Sequence, residues 1–284
     1  MSTFTRPQIV GVVNITLDSF SDGGLYLDAN TAIEHADKLI SDGADILDLG
    51  AAASNPHAEA VSAGAEIERL APVVAHLKTR GARISIDTTK PEVQRWALTQ
   101  EVEFLNDIRG FPDSAMYPTL ASSRAKLIVM HFIRPLGKGV GQASDLDKAV
   151  RAPKTPAEVL GSIRRFFAER LKHMLDAGIA HDRIIVDPGM GFFLASNPEP
   201  SLAVLAHLAE LKKEFGFPLM IGVSRKSFLK NIRQSESCDI GARTLAAELF
   251  AAQQGVDYIR THDARALHEG LLTLDGIMRV VESP

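Results

Sequence analysis

The chain has 284 residues, 45% of them hydrophobic and 23% charged, with 31 Lys and Arg against 35 Asp and Glu for a formal net charge of -4. That length can bury one large core, and the slightly acidic balance supplies no field to draw nucleic acid or an anionic membrane surface, so a polyanion-binding module is excluded. A single cysteine, Cys238, excludes an internal disulfide or a multi-thiolate zinc site, and with no long apolar run and no apolar leader in Met1–Gln8 a cytoplasmic location is expected.

Short apolar runs of strand length recur eight times and alternate with segments of helical periodicity. In chain order they predict a strand at Ile9–Val13 and a helix at Thr31–Ser41, then Ile46–Leu49 with Ala63–Thr79, and Arg83–Ile86 with Pro91–Gln100. Strands at Glu103–Leu105 and Lys126–Met130 precede a helix at Ala157–Ala177. Arg183–Val186 pairs with Ser201–Phe215, Leu219–Val223 with Gly241–Gln254, and Tyr258–Thr261 with Ala264–Val281. Gly43, Gly81, Gly178, Gly216 and Gly255 each follow a helix and precede a strand, where a left-handed residue ends the helix without steric cost. Strict alternation implies parallel strands, and eight units with none left over favour a closed (β/α)8 TIM barrel over an open doubly wound sheet, as a single α/β domain over 1–284. The Gly- and Pro-containing stretch from Phe132 to Thr155 reads as a loop over one barrel face.

Each predicted strand ends on a side chain able to bind or catalyse: Asn14, Asp48, Asp87, Asn106 with Asp107, His131, Asp187, the run Ser224-Arg225-Lys226-Ser227, and His262 with Asp263. In a barrel these ends converge on the face where active sites are built. Singly, each has a plainer account. Asp187-Pro188-Gly189 is an ordinary turn sequence, Asp87-Thr88-Thr89 suits a helix cap, and His131 and His262 lack the neighbours of a metal site. As a set they carry a signal. Ser224–Ser227 and Arg260 occupy the quarter of a barrel where phosphates dock, with arginine as a planar fork and lysine as a point charge. Asp48, Asp87 and Asp187 with Asn106 suit a heterocycle whose edge is rich in N–H donors. The pattern fits such a ring bearing a phosphate or diphosphate arm.

The strings Val12-Val13-Asn14-Ile15-Thr16-Leu17-Asp18-Ser19-Phe20-Ser21-Asp22-Gly23-Gly24, Asp45-Ile46-Leu47-Asp48, Ser85-Ile86-Asp87-Thr88, Leu105-Asn106-Asp107, Met130-His131, Asp187-Pro188-Gly189-Met190-Gly191-Phe192, Ser224-Arg225-Lys226-Ser227 and Arg260-Thr261-His262 together resemble the dihydropteroate synthase family, in order and across nearly the whole chain. The resemblance implies a (β/α)8 enzyme of folate biosynthesis that joins 6-hydroxymethyl-7,8-dihydropterin diphosphate to 4-aminobenzoate and releases diphosphate with Mg2+. It implies Asn14 as the metal and diphosphate contact, and Asp87, Asn106 and Asp187 as a pterin cage with Asp48 nearby and Lys226 beside the ring. Asp87, Asp187 and Lys226 are the implied catalytic groups, Arg260 and His262 the implied diphosphate contacts, and Phe192 and Ser227 neighbours of the aminobenzoate. A homodimer through the outer helices is also implied.

The sequence departs from the family in three places, the first being Thr16-Leu17-Asp18 where the family has Thr-Pro-Asp in the first loop. Where the family has Gly-Gly-Glu-Ser-Thr-Arg-Pro after the second strand, this chain has Gly50-Ala51-Ala52-Ala53-Ser54-Asn55-Pro56, so a Glu and an Arg are missing while Ser54 keeps a hydroxyl for the substrate. Where the family has Gly-Lys, this chain has Phe193-Leu194, adding apolar bulk near the arylamine. With Phe111-Pro112-Asp113 and Ser227-Phe228-Leu229, these variants resemble the sulfonamide-insensitive branch of the family. Two other readings stand beside this one. A pterin-dependent methyltransferase barrel would share the carboxylates without needing Ser224-Arg225-Lys226 and Arg260, and a non-catalytic pterin-binding paralogue would account for the missing Glu and Arg.

Overall fold

The structure, a computed structural model, describes residues 4–15, 29–52, 61–132, 154–232 and 238–282. Its strands are β1 (Gln8–Asn14), β2 (Ile46–Gly50), β3 (Ile84–Asp87), β4 (Phe104–Asp107), β5 (Lys126–Met130), β6 (Ile184–Asp187), β7 (Met220–Ile221) and β8 (Tyr258–Thr261). Between and after them run α1 (Ala29–Ser41), α2 (Ala63–Thr79), α3 (Pro91–Thr99), α4 (Tyr117–Ser122), α5 (Pro156–Asp176), α6 (Glu199–Ala206), α7 (Leu208–Phe215), α8 (Ser227–Lys230), α9 (Ile240–Gln253) and α10 (Ala264–Glu282). All strand pairings are parallel, in the order β6-β5-β4-β3-β2-β1-β8-β7. A parallel bridge between Val186 and Leu219, with Val186 N–H donating to the Pro218 carbonyl at 2.9 Å, joins the two ends of that order into a barrel. This is the architecture that the eightfold alternation predicts.

Side chains alternate along each strand between two cores. Outward residues such as Ile9, Val13, Leu47, Leu49, Ile86, Leu105, Val129, Val186 and Ile259 pack beneath the helices. Inward residues Val10, Ile46, Phe104, Ile128, Ile185, Met220 and Tyr258 form a separate apolar plug inside the barrel. Burying a side chain of this size stabilises the fold by about 1.5–3 kcal/mol, so the plug is a substantial anchor for whatever stands above it. At the N-terminal rim Arg83 bonds Glu103 through two nitrogens at 2.7 and 2.8 Å and Gln8 at 2.7 Å.

Local signals set the boundaries. Thr155 and Glu158 form a reciprocal capping box that starts α5. Gly43 takes φ 95°, and a Cβ there would lie 2.6 Å from the His268 ring; the other four predicted helix-ending glycines also have positive φ. The helix predicted over Ser201–Phe215 is two helices that meet at His207, where the backbone takes φ -109° and ψ 13° while its N–H still donates to the Ala203 carbonyl and its own carbonyl accepts from Leu211 N–H. The seventh strand is shorter than predicted, since the Val223 carbonyl accepts from Lys226 N–H and turns the chain. Helices α4 and α8 are one turn or little more, too short for periodicity to mark. Most of the predicted loop from Phe132 to Thr155 lies outside the described residues. Among the described residues no helix is long and apolar enough to cross a membrane.

Candidate active site

Two residues beyond the apolar plug, the same inward alternation reaches polar side chains. Ile46 is followed by Asp48, Phe104 by Asn106, Ile185 by Asp187 and Tyr258 by Arg260, all facing the barrel axis toward its C-terminal mouth. Ser85, paired in register with Asp48, precedes Asp87 by the same step. The plug therefore fixes a polar layer directly above it.

Arg260 organises this layer. Its Nε donates to Asp48 Oδ2 at 2.6 Å and one terminal nitrogen to Asp87 Oδ2 at 3.1 Å, while Asn106 donates its amide to Asp48 Oδ2 at 3.0 Å. The sequence assigns Arg260 to a diphosphate; in the structure two of its donors are spent on carboxylates of the barrel floor. Asp48 Oδ1 and Ser85 Oγ are buried with no hydrogen-bond partner among the described residues. Polar atoms of this kind in a buried layer suit a ligand that brings hydrogen-bond donors. Burial and then the neighbouring Asp48 charge push the Asp87 carboxyl up to about 7 against the opposing pull of Arg260.

Asp187 and Lys226 face each other in charge across the same mouth. Asp187 Oδ1 accepts the Gly189 N–H at 2.8 Å, and burial raises the carboxyl to about 6 against that bond and the positive charge of Lys226. Burial lowers Lys226 to about 8, with Asp187 opposing the shift and Arg260 adding to it. The turn after β6 is tight: Gly189 has φ 71° and a Cβ there would stand 2.8 Å from the His131 carbonyl oxygen. The Lys226 ammonium lies 4.8 Å from the centre of the Phe193 ring and 6.0 Å from that of Phe192. Phe193 is buried at 5% exposure while Phe192 is 39% exposed, so the ring with a free face is Phe192, and the bulk that the sequence assigns to Phe193 goes into packing.

The remaining predicted residues separate by orientation. The His262 backbone N–H donates to Ser224 Oγ at 3.2 Å and its Nδ1 lies 3.0 Å from the same oxygen; burial first, then Arg260, Arg225 and Lys226, lower the ring to about 3, so it is neutral at physiological pH. Asn14 ends β1, and a Cβ on Gly50 would stand 3.9 Å from both Asn14 Oδ1 and Asp87 Oδ2, which places Asn14 and Asp87 on either side of one glycine. Ser227 is exposed at the start of α8. Asp107 departs from the set: it follows inward Asn106, so it points outward, where Gln94 and the Arg109 N–H bond it at 3.0 and 2.8 Å. His131 is enclosed between the Pro188 carbonyl and Ser162. Ser54 and Asp22 lie outside the described residues. Sequence reasoning passes over Ser85 as a site residue, although alternation back from Asp87 points to it.

A family model described as "Pterin binding enzyme" matches residues 10–262. Dihydropteroate synthase type-3 of Escherichia coli is 49% identical over 264 residues, covering 93% of this chain and 97% of that protein. The chain belongs to the dihydropteroate synthase family. The solved structure of a dihydropteroate synthase from Coxiella burnetii in complex with pteroic acid superposes with a TM-score of 0.82 at 31% identity, covering 98% of this chain and 95% of that one. The Xanthomonas albilineans dihydropteroate synthase with 4-aminobenzoic acid gives 0.79 at 31% identity over 98% of this chain and 96% of that one. In this family the barrel's polar layer is the surface to ask about pterin chemistry.

Proposed function

We propose that residues 1–284 form a single-domain dihydropteroate synthase that condenses 6-hydroxymethyl-7,8-dihydropterin diphosphate with 4-aminobenzoate to 7,8-dihydropteroate and diphosphate. The observation that carries this reading is the polar layer itself, in which Asp48, Asp87, Asn106 and Asp187 share the barrel mouth with Arg260, Lys226 and His262. Carboxyls that burial holds at about 6 and about 7 favour a ligand that brings N–H donors, because such donors stabilise the charged form. The amino-amidine edge of a pterin does so.

In this reading Asp187 accepts from the pterin edge through its second oxygen, while Asn106 and Asp48 complete the cage and Lys226 lies beside the ring. Lys226 and the neutral His262 ring face the diphosphate arm. The bond from the pterin methylene to the diphosphate oxygen breaks with its electron pair leaving on diphosphate, and the resulting cation is conjugated with the ring. The carboxylates of Asp87 and Asp187 beside the ring stabilise that charge. The neutral arylamine nitrogen of 4-aminobenzoate then bonds the methylene and loses a proton. Phe192 and Ser227 flank the approach of the arylamine, and Phe192 supplies an apolar wall against water.

Mg2+ fits this site as an ion carried largely by the substrate. Asn14 Oδ1 offers one hard oxygen at the mouth, and among the described residues no group of three or more His, Cys, Asp or Glu side chains could hold a metal by itself. Bound to the phosphates, the ion supplies neutralisation of the charge that gathers on the leaving group.

We also propose a homodimer, since α9 and α10 expose Phe250, Ile277, Val280 and Val281 on neighbouring helices, and apolar exposure of this kind marks contact surfaces. Diphosphate release with and without 4-aminobenzoate tests the function. Release that depends on the arylamine, with dihydropteroate formed in equal amount, supports the synthase; a methyltransferase barrel or a non-catalytic paralogue releases none.

A further inference from the structure

One outer helix holds the strand end that carries Lys226. Thr244 and Glu248 are buried one turn apart on α9, on the helix face that also buries Ala251 and Ala252. Thr244 Oγ1 accepts the backbone N–H of Arg225 at 3.1 Å. Arg225 has φ 58°, in the left-handed region that a side-chain-bearing residue adopts at a cost and keeps only where neighbours hold it. This residue turns the chain out of β7, and Lys226 follows at once as the N-cap of α8, its N–H donating to the Val223 carbonyl at 3.2 Å. Arg243, beside Thr244, donates to the carbonyl of Leu229 at 2.8 Å and so clasps the far end of the same segment.

Ser224 ties this strand end to the next one, because its Oγ accepts the His262 N–H at 3.2 Å at the end of β8. The bond from Arg225 to Thr244 and the bond from His262 to Ser224 thus hold the chain on both sides of the turn that presents Lys226.

We propose that Thr244 is a positioning residue for the diphosphate side of the site: it fixes the left-handed turn that aims Lys226. The proposal rests on the reading that Lys226 meets the pterin diphosphate.

The test pairs variants of similar size. Thr244→Val removes the bond and keeps the volume, whereas Thr244→Ser keeps a hydroxyl. Thr244→Val is expected to lower kcat/KM for the pterin diphosphate about tenfold through a raised KM, with the KM for 4-aminobenzoate held within about twofold. Thr244→Ser is expected to stay within about threefold of wild type. A loss of melting temperature in Thr244→Val with wild-type kinetics overturns the positioning role, as does an equal rise in both KM values. Should Thr244→Val fail to fold, a tenfold loss in Thr244→Ser also overturns it. Lys226→Ala is measured alongside: an unchanged pterin diphosphate KM there overturns the site reading and this proposal together, while a raised KM there beside wild-type kinetics in Thr244→Val overturns this proposal alone.

Discussion

Replacing Asp187 by Asn changes one atom at the point where the pterin edge is proposed to dock. The amide keeps the shape of the carboxyl, and its oxygen can keep the Gly189 N–H bond at 2.8 Å. The other oxygen becomes an NH2 group, which meets the ring's N–H donors with a donor. One buried polar pair is then unmade, at a cost of about 1–3 kcal/mol, or about ten- to a hundredfold in kcat/KM for the pterin diphosphate. Stability is expected to move the other way. Burial raises Asp187 to about 6 from an ordinary value of 3.8, so its contribution to stability is full below the ordinary value and is lost as pH rises through about 6. Asn carries no such slope. The melting temperature of the ligand-free variant, minus that of wild type, should therefore grow between about pH 5 and about pH 8, by about 2 °C or more. Diphosphate release at saturating 4-aminobenzoate and scanning calorimetry at the two pH values make the measurement. Near wild-type kcat/KM would remove Asp187 from the pterin site, and a melting difference flat in pH would refute the raised carboxyl.

Because Asp87 and Asp187 are held at about 7 and about 6, a pterin that donates N–H bonds to them should release protons on binding, and its affinity should rise about tenfold from pH 5 to pH 7; calorimetric titration in two buffers of different ionisation enthalpy reads both, and binding independent of pH would exclude carboxylate acceptors. Asn14→Ala is expected to move the Mg2+ dependence of turnover about tenfold higher with little change in the KM for 4-aminobenzoate; an unchanged Mg2+ titration would show that Asn14 does not meet the ion. Gly189→Ala is expected to cost about 2–3 kcal/mol of stability, because it adds a Cβ 2.8 Å from the His131 carbonyl at φ 71°; a denaturation midpoint equal to wild type would contradict the tight turn. Phe192→Ala is expected to lower the sulfamethoxazole inhibition constant about tenfold relative to the KM for 4-aminobenzoate, since the exposed ring obstructs a sulfonyl substituent more than a planar carboxylate; an unchanged ratio of the two constants would leave the discrimination with the loop after β2.

The barrel was legible because its strands repeat one grammar: an apolar run, a polar end, then a helix. Where the backbone departs locally from the pattern, the pattern misleads. Val204, Leu205, Leu208 and Leu211 are all buried at helical spacing, so nothing in the apolar periodicity marks the break at His207 between them. Asp107 was grouped with Asn106 as one strand end, yet the period of two separates them, and counting on from Phe104 would have sent Asp107 outward. Thr244 is invisible along the chain as a site residue because it lies on an outer helix and never faces the barrel axis.

The charge state of the site is the part that no reading along the chain could reach. Asp48 and Asp87 each look like an acid in need of a donor, and Arg260 looks like a cation free to hold a phosphate. Arg260 is 212 residues from Asp48 and 173 from Asp87, and only closure of β8 beside β1 brings the guanidinium between the two carboxylates. That one placement changes three assignments at once. It lets two buried acids share a barrel floor, it leaves Arg260 fewer donors for an anion, and it shifts the task of meeting the diphosphate toward Lys226 and His262. The alternation that builds the apolar plug decides which residues reach the mouth; the closure of the barrel decides which charges remain unspent when they get there.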